Sequence, residues 1–160
     1  MTRSGSEPSV DEARRSASAA PPLIEFGVPE RENFLATQRD AILATINRDG
    51  SPHATPTWYH WSQGVMTISS PAGTQKVRNI QRDPRISVCV DDQVTGTFVT
   101  AFGRAEMITG EEVDGLTWPL LLKYLHQDEA RTRWSRINAD RDRVAIVLRP
   151  RRLVWRSGVR

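Results

Sequence analysis

A series of short, β-branched runs separated by turn signals constrains this fold more than any other feature. The first run, residues 41–47, ends at Asp49 and Gly50, and an Asp-Gly pair between two extended runs is typical of a tight β-hairpin. Further strands are predicted over residues 52–61 and 65–70. The three runs therefore predict an antiparallel meander at the start of the folded region.

The rest of the chain combines single or paired helices with pairs of strands. Helices are predicted over residues 29–35, 75–82, 111–125 and 128–137, and strands over residues 85–90, 97–108, 144–148 and 151–155. Gly103 predicts a bulge or a bend inside the longest of these strands. No Gly-x-Gly-x-x-Gly motif follows a strand, so the pattern favours an antiparallel barrel or strongly curled sheet over a parallel α/β fold.

Length and composition limit the chain to one domain, because 160 residues match roughly 150 per domain. Residues 1–22 lack the apolar core of a signal peptide and are predicted to form a flexible leader, which leaves a single domain over residues 23–160. The longest apolar stretch, residues 116–122, is far shorter than the ~20 residues that a bilayer requires, so no membrane partner is expected. The one cysteine, Cys89, excludes an internal disulfide and predicts a reducing compartment, the cytoplasm.

Positive charge is concentrated at the C-terminal end. Residues 131–160 contain ten arginines and two aspartates, whereas residues 23–130 contain nine basic and fourteen acidic residues. The arginines could meet an anionic ligand or form the solvated edges of helices and strands. Aromatic residues do not alternate regularly with the basic ones, so nucleic-acid binding is not expected.

No residue pattern predicts a metal site or a protein nucleophile. His53 and His60 lie seven positions apart on one predicted strand, so they should point to opposite faces, and His126 is predicted near a helix end. Cys89 lies in a β-branched strand, where a buried and inert thiol is the ordinary outcome. The catalytic residues therefore stay unknown at this stage.

The loop between the third strand and the helix at residues 75–82 is a candidate anion site. A helix that begins near Thr74 could be capped by that side chain and would direct free N–H groups outward. Lys76 and Asn79 would share one face of this helix, and Ser69 or Ser70 would add hydroxyl groups from the strand end. The alternative is a solvated helix start without a ligand.

Pro56 interrupts the second predicted strand. Proline cannot donate to a strand ladder, so this strand lies at a sheet edge or receives a ligand there. Thr55 and Thr57 share a face and could present hydroxyl groups to a planar ligand, with Trp58 close by for stacking. An edge strand beside ordinary core aromatics explains the same residues.

Five segments together resemble the pyridoxamine-phosphate-oxidase-like, FMN-binding split-barrel family: residues 41–45, 49–52, 56–58, 69–80 and 83–87. They are similar, more narrowly, to its deazaflavin-dependent branch, which uses coenzyme F420 (8-hydroxy-5-deazaflavin). The resemblance implies a mainly β fold, a six-stranded antiparallel split β-barrel, and a homodimer with cofactor sites at its interface. It assigns the cofactor phosphate to Lys76 and Asn79, the adjoining strand to Thr67, Ser69 and Ser70, and the ring system to Thr55, Pro56 and Thr57.

The resemblance also implies redox chemistry on a small-molecule substrate. It suggests a reductase that transfers a hydride from reduced F420 to a conjugated C=C, C=N or quinone-like acceptor, which needs no protein nucleophile because the cofactor carries the reactive carbon. FMN in the same cleft, or a carrier that holds F420 or flavin without catalysis, are the alternatives. Candidate cations for an acidic cofactor tail are Arg151, Arg152 and Arg156, and candidate proton donors are Tyr59, His60 and water.

Two departures from the family pattern narrow these expectations. The tract at residues 147–155 lacks the Arg-x-His-x-Arg motif of true pyridoxamine phosphate oxidases, so oxidation of vitamin B6 is not expected. No histidine follows His126, whereas the haem-degrading relatives use one near the C-terminus. Haem binding is therefore a minor alternative.

Overall fold

Eight strands and four helices make up the described part of the chain. The computed structural model describes residues 29–37, 40–139 and 142–157, so the predicted leader at residues 1–22 lies outside it. The helices are α1 (Pro29–Ala36), α2 (Gln75–Arg82), α3 (Glu112–Tyr124) and α4 (Gln127–Ala139). The strands are β1 (Ala41–Ile46), β2 (Pro52–Thr57), β3 (His60–Ser62), β4 (Val65–Pro71), β5 (Arg85–Asp92), β6 (Thr97–Ile108), β7 (Arg143–Leu148) and β8 (Arg152–Arg156). None of the described helices is long and apolar enough to cross a bilayer.

The strands form one curled antiparallel sheet in the order β2-β1-β5-β6-β7-β4-β3, with β8 paired to β6. The long strand β6 joins the two halves: it pairs with β5 and β8 along its first part and with β7 along its last four residues. This arrangement is a split barrel, and the mainly β, antiparallel fold class is confirmed.

Gly103 lies where β6 passes from one half of the sheet to the other. Its partner on β5 is Ile86 in an uninterrupted register, so the predicted bulge is absent from this strand pair. A Cβ atom at this position would lie 2.7 Å from Leu148 Cδ1 and 3.2 Å from the Arg149 carbonyl oxygen. The glycine is therefore required by the close approach of β7 and its following residues.

The second predicted strand, residues 52–61, is broken into β2 and β3 at Trp58 and Tyr59. Tyr59 is buried here, and its hydroxyl donates to the Leu35 carbonyl oxygen at 2.9 Å. This break raises the strand count to eight, where the resemblance implied six, and it moves His60 to a different strand from His53. The predicted three-strand meander is therefore wrong, because β2 and β3 lie at opposite ends of the sheet and only β3 pairs with β4. The edge position predicted from Pro56 is confirmed, since β2 ends the sheet order.

The core fills the inside of the curled sheet. Alternate residues of β1 face it, and α1 and α2 contribute Leu35, Val77 and Ile80. Strand β7 is buried over five consecutive residues because α3 packs on its outer face and on that of β4. A strand covered on both sides reads as a continuous apolar run rather than an alternating one.

Candidate functional site

A cleft of about 330 Å³ lies beside α3 and α4, between the end of β2 and strands β4 and β7. Its size is at the lower end of the range for small-molecule sites. Polar groups on its wall come from Thr57, Ser69 and Thr117, and apolar groups from Leu120 and Leu121. The wall also carries two arginines, Arg133 and Arg143, and one acid, Asp40. The lining is therefore mixed, with an excess of positive charge.

Ser69 is the centre of a hydrogen-bonded cluster on the cleft wall. Arg143 donates to Ser69 Oγ through Nε at 3.2 Å and through Nη2 at 3.1 Å, and Thr117 Oγ1 donates to the same atom at 3.1 Å. A serine oxygen has two acceptor sites, which these donors occupy, so its own O–H proton must be directed elsewhere. Within the described residues no acceptor meets that proton, and it is available to a ligand in the cleft.

Lys76 lies outside the lining of the cleft, but it adds a positive charge within electrostatic range of Arg143. Partial burial lowers the pKa of Lys76 from its usual value, and the charge of Arg143 lowers it further. The two cations are therefore close enough to repel each other, and a bound anion would relieve that repulsion. Lys76, Arg143 and the Ser69 hydroxyl together form what we call the anion cluster.

Some of the predicted cofactor residues line the cleft, and others lie outside its lining. Pro56, Thr57 and Ser69 line the cleft. Thr55 shares the face of Thr57 but lies outside the lining, with its hydroxyl 3.3 Å from His53 Nδ1. Thr67 is buried on the same strand as Ser69. These assignments stay predictions. The geometry favours the end of β2, at Pro56 and Thr57, as the part of the strand that a ligand in the cleft would contact.

Asn79 is fully buried and serves the fold rather than the cleft. Its Nδ2 donates to Thr45 Oγ1 at 3.0 Å and to Asn47 Oδ1 at 2.9 Å, and its Oδ1 accepts from Gln75 Nε2 at 2.8 Å. Both amide hydrogens are thus used inside the chain. The predicted role as a donor to a cofactor phosphate does not match this geometry, because the side chain holds α2 to β1.

Thr74 stands at the N-cap of α2 as predicted, but its side chain does not cap the helix. The hydroxyl instead donates to the Pro71 carbonyl oxygen at 3.0 Å and lies 3.1 Å from Ser70 Oγ. Ser70 is buried, so this pair stabilises the turn between β4 and α2. Of the two serines predicted for the site, only Ser69 reaches the cleft wall.

Comparison with known proteins agrees with the fold. The family model described as pyridoxamine 5'-phosphate oxidase matches residues 28–154. The chain belongs to this family. Its fold is that of the pyridoxamine 5'-phosphate oxidase-like split barrels.

Solved structures of the same fold include several proteins of different description. A conserved hypothetical protein of Mycobacterium tuberculosis, Rv2991, is 27% identical with a TM-score of 0.73, and the match covers 88% of this chain and 90% of that one. A structure described as an F420 reductase is 25% identical with a TM-score of 0.65, over 82% of this chain and 98% of that one. A haem-binding protein of Mycobacterium smegmatis shares the fold, with 23% identity and a TM-score of 0.65. That match covers 85% of this chain and 56% of the other one.

The arginines that sequence reasoning selected for this family member are not the ones at the cleft. Arg151, Arg152 and Arg156 lie outside its lining, and the guanidinium carbon of Arg152 lies 4.4 Å from the Phe102 ring centroid. Arg143 reaches the cleft because it pairs with Pro71 across β4 and β7, a contact between residues far apart in the sequence. Arg133 arrives on α4. Neither contact leaves a local signal in the chain.

The two side chains predicted as proton donors, Tyr59 and His60, do not line the cleft. Tyr59 is buried with its hydroxyl on the Leu35 carbonyl, and Lys123 Nζ lies 3.5 Å from its ring centroid, so it does not face the cleft. Burial lowers the pKa of His60, with a further contribution from the charge of Lys123, and His60 lies outside the lining. No group of three metal-ligating side chains occurs in the parts of the chain described. Of the three predicted donors, water remains.

Proposed function

We propose that this chain is an F420H2-dependent reductase that transfers a hydride to a conjugated C=C, C=N or quinone-like small-molecule acceptor. The observation that carries the proposal is the pair of hydrogen bonds from Arg143 to Ser69 on the cleft wall beside the end of β2, with the charge of Lys76 near enough to affect that of Arg143. The similarity to a solved F420 reductase at 25% identity supports a deazaflavin rather than a flavin. This function goes beyond family membership.

The residues of the cleft fit a planar cofactor with an anionic arm. The anion cluster would hold the phosphate, because two cations and a hydroxyl donor give charge-assisted hydrogen bonds. Pro56 and Thr57 would lie against the ring system. Leu120 and Leu121 on α3 would keep water from the reacting atoms, which strengthens electrostatic interactions inside the cleft.

The chemistry requires little from the protein beyond position. Bound F420H2 would supply a hydride, which carries two electrons and one hydrogen. The acceptor would then take one proton from water and become the two-electron-reduced product. A well-oriented cofactor and acceptor convert a bimolecular reaction into an effectively unimolecular one, so the chain needs no nucleophile.

Coenzyme binding tests this proposal directly. Titration of F420 with the protein, followed by coenzyme fluorescence, is expected to give saturable binding. Lys76→Ala should weaken it by about 10- to 150-fold, the value of one hydrogen bond to a charged group. Arg48→Ala is the matched control, since Arg48 lies in the β1–β2 turn, at the opposite end of β2 from Thr57. No binding, or equal losses in both variants, would overturn the proposal.

The two alternatives give different results in the same preparation. If FMN occupies the cleft, the purified protein is yellow with a flavin absorption band and binds F420 weakly. A carrier would bind F420 and leave every acceptor unreduced. A panel of quinones, nitro compounds and conjugated imines with F420H2 separates the carrier from the reductase.

We also propose that the protein is a homodimer through the outer face of its sheet. One row of residues crosses five strands on that face, in the order Pro56, Ile42, Cys89, Thr100 and Val154. Ile42 is 43% exposed at the middle of a strand. Pro56 belongs both to this face and to the cleft, so a second copy would border the cofactor site.

Replacing Ile42 tests the dimer without touching the cleft. Ile42→Glu places a charge at the exposed apolar position of this row and is expected to convert the dimer to a monomer in light scattering coupled to size exclusion. Val94→Glu is the control, because Val94 is 87% exposed at the tip between β5 and β6. A wild-type protein that is monomeric at all concentrations would contradict the proposal.

A further inference from the structure

Arg133 and Trp58 form a second pair of contacting side chains on the cleft wall, distinct from the anion cluster. Arg133 Cζ lies 5.3 Å from the Trp58 ring centroid, and both residues line the cleft. Tyr124 stacks on Trp58 with centroids 4.6 Å apart and planes at 2°, which fixes the indole ring. Burial raises the pKa of Tyr124 to about 12, so the supporting ring is uncharged at neutral pH.

Arg133 differs from its neighbours on α4 in its charge pairing. Arg131 meets Asp128 one turn earlier at 3.9 Å, whereas within the described residues Arg133 makes no ion pair. An exposed arginine held over an aromatic ring keeps its planar fork of donors for an outside anion. The cofactor phosphate is assigned to Ser69, Arg143 and Lys76, so the guanidinium of Arg133 at the cleft has no ligand assigned to it.

The neighbouring side chains define what kind of molecule this pair would accept. Tyr124 and Arg133 already lie on the ring of Trp58, and Leu120, Leu121 and Ile137 give the cleft apolar contact area beside them. A planar conjugated ring packs well on such a surface. A carboxylate or sulfonate on that ring would accept paired hydrogen bonds from the guanidinium of Arg133.

We propose that Arg133 is a specificity-determining residue, which selects acceptors carrying an anionic group on a planar conjugated ring that packs on the apolar cleft wall beside Trp58. The inference rests on the proposed reductase function and names the substrate class of the same cleft. The reaction itself is unchanged: the ring gains a hydride from F420H2 and a proton from water. Arg133 contacts the anionic group and takes no part in either transfer.

The test compares one neutral and one anionic acceptor of the same ring system. The pair is 1,4-naphthoquinone and 1,4-naphthoquinone-2-sulfonate, each measured with F420H2 as donor. The variants are Arg133→Gln, which removes the charge, and Arg133→Lys, which keeps it. Arg136→Gln is the matched control, because Arg136 lies on the same helix and lines a neighbouring groove, which Arg133 also borders, but not the cleft. Comparing each variant with wild type cancels the difference in reduction potential between the two quinones.

Arg133→Gln is expected to raise KM for the sulfonate by about 10-fold or more and to leave KM for the neutral quinone and both kcat values within twofold. Arg133→Lys should recover part of the loss, and Arg136→Gln should change nothing. A second readout needs no turnover: the sulfonate should quench tryptophan fluorescence of the protein loaded with oxidised F420, with an affinity that falls by the same factor in Arg133→Gln.

The outcomes separate this inference from the function on which it rests. If F420 binds and is used as donor but Arg133→Gln shifts both quinones equally, or neither, then the selection by Arg133 is wrong and the reductase stands. If F420 does not bind to the wild-type protein, the reductase falls and this inference falls with it. Unchanged coenzyme affinity in Arg133→Gln is required in the favourable case.

Discussion

Replacing Asn79 by alanine is expected to destabilise the protein and to leave coenzyme binding largely intact. The substitution removes three hydrogen bonds, to Thr45, Asn47 and Gln75. At about 0.5–1.5 kcal/mol net for each, their sum is about 1.5–4.5 kcal/mol. Gln75 is exposed and Asn47 is half-buried, so water can replace those two bonds in part, whereas Thr45 is only 2% exposed. We therefore expect a loss of about 2–3 kcal/mol.

Urea denaturation followed by circular dichroism measures this loss as a lower midpoint with an unchanged slope. Asn79→Asp separates the hydrogen bonds from the lost volume, because it keeps the size and puts a carboxylate against Asn47 Oδ1. It should destabilise at least as much as Asn79→Ala. Lys76→Ala provides the converse case, with unfolding free energy within about 0.5 kcal/mol of wild type and weakened F420 binding.

The reasoning is refuted by the opposite pattern. An Asn79→Ala protein as stable as wild type that no longer binds F420 would make Asn79 a ligand of the cofactor, as the sequence resemblance implied. It would also mean that the buried hydrogen bonds of α2 to β1 contribute nothing measurable.

Two glycines and one lysine give further predictions. Gly103→Ala should lower the free energy of unfolding by about 1–3 kcal/mol, because its Cβ would overlap Leu148. Gly115→Ala, inside α3 with nothing within 4 Å, should raise that free energy by about 0.5–1 kcal/mol. Chemical denaturation measures both changes, and two changes of the same sign would contradict the packing argument. The pKa of Lys76 is lowered by burial and by Arg143, so its neutral form appears below the usual lysine range. F420 affinity, measured by fluorescence titration, should therefore weaken as the pH rises through this lowered pKa. Lys76→Arg stays protonated and should abolish that weakening. The same pH profile in both proteins would exclude Lys76 as the titrating group.

Local signals were sufficient for most of the secondary structure. The Asp-Gly turn, the alternating β-branched runs and the edge position of Pro56 are all properties of neighbouring residues, and each corresponds to an observed element. The boundaries of β6, residues 97–108, agree completely with the prediction. The break at Trp58 and Tyr59 was missed because it depends on the carbonyl of Leu35, which lies 24 residues away.

For the candidate site too, the sequence predicted some features and missed others. Its residue types were present in the sequence, as a lysine near a helix start, a serine at a strand end and threonines on an edge strand. Their roles depended on contacts between distant segments: Asn79 turned inward to β1, Ser69 met Arg143, and Arg133 came beside Trp58. A helix exposes several polar side chains at its start, and only packing determines which of them is buried.

By itself, the sequence determined the antiparallel class of the fold and the segments that could meet a cofactor, because periodicity and turn chemistry act over a few residues. The order of the strands in the sheet came from the tertiary structure. The tertiary structure alone decided which cations reach the cleft. Arginines are numerous along the C-terminal third, and their charge is the same at every position. Which of them faces a ligand is set by strand pairing and helix packing between distant segments, as in the contact of Ser69 with Arg143, which lie 74 residues apart.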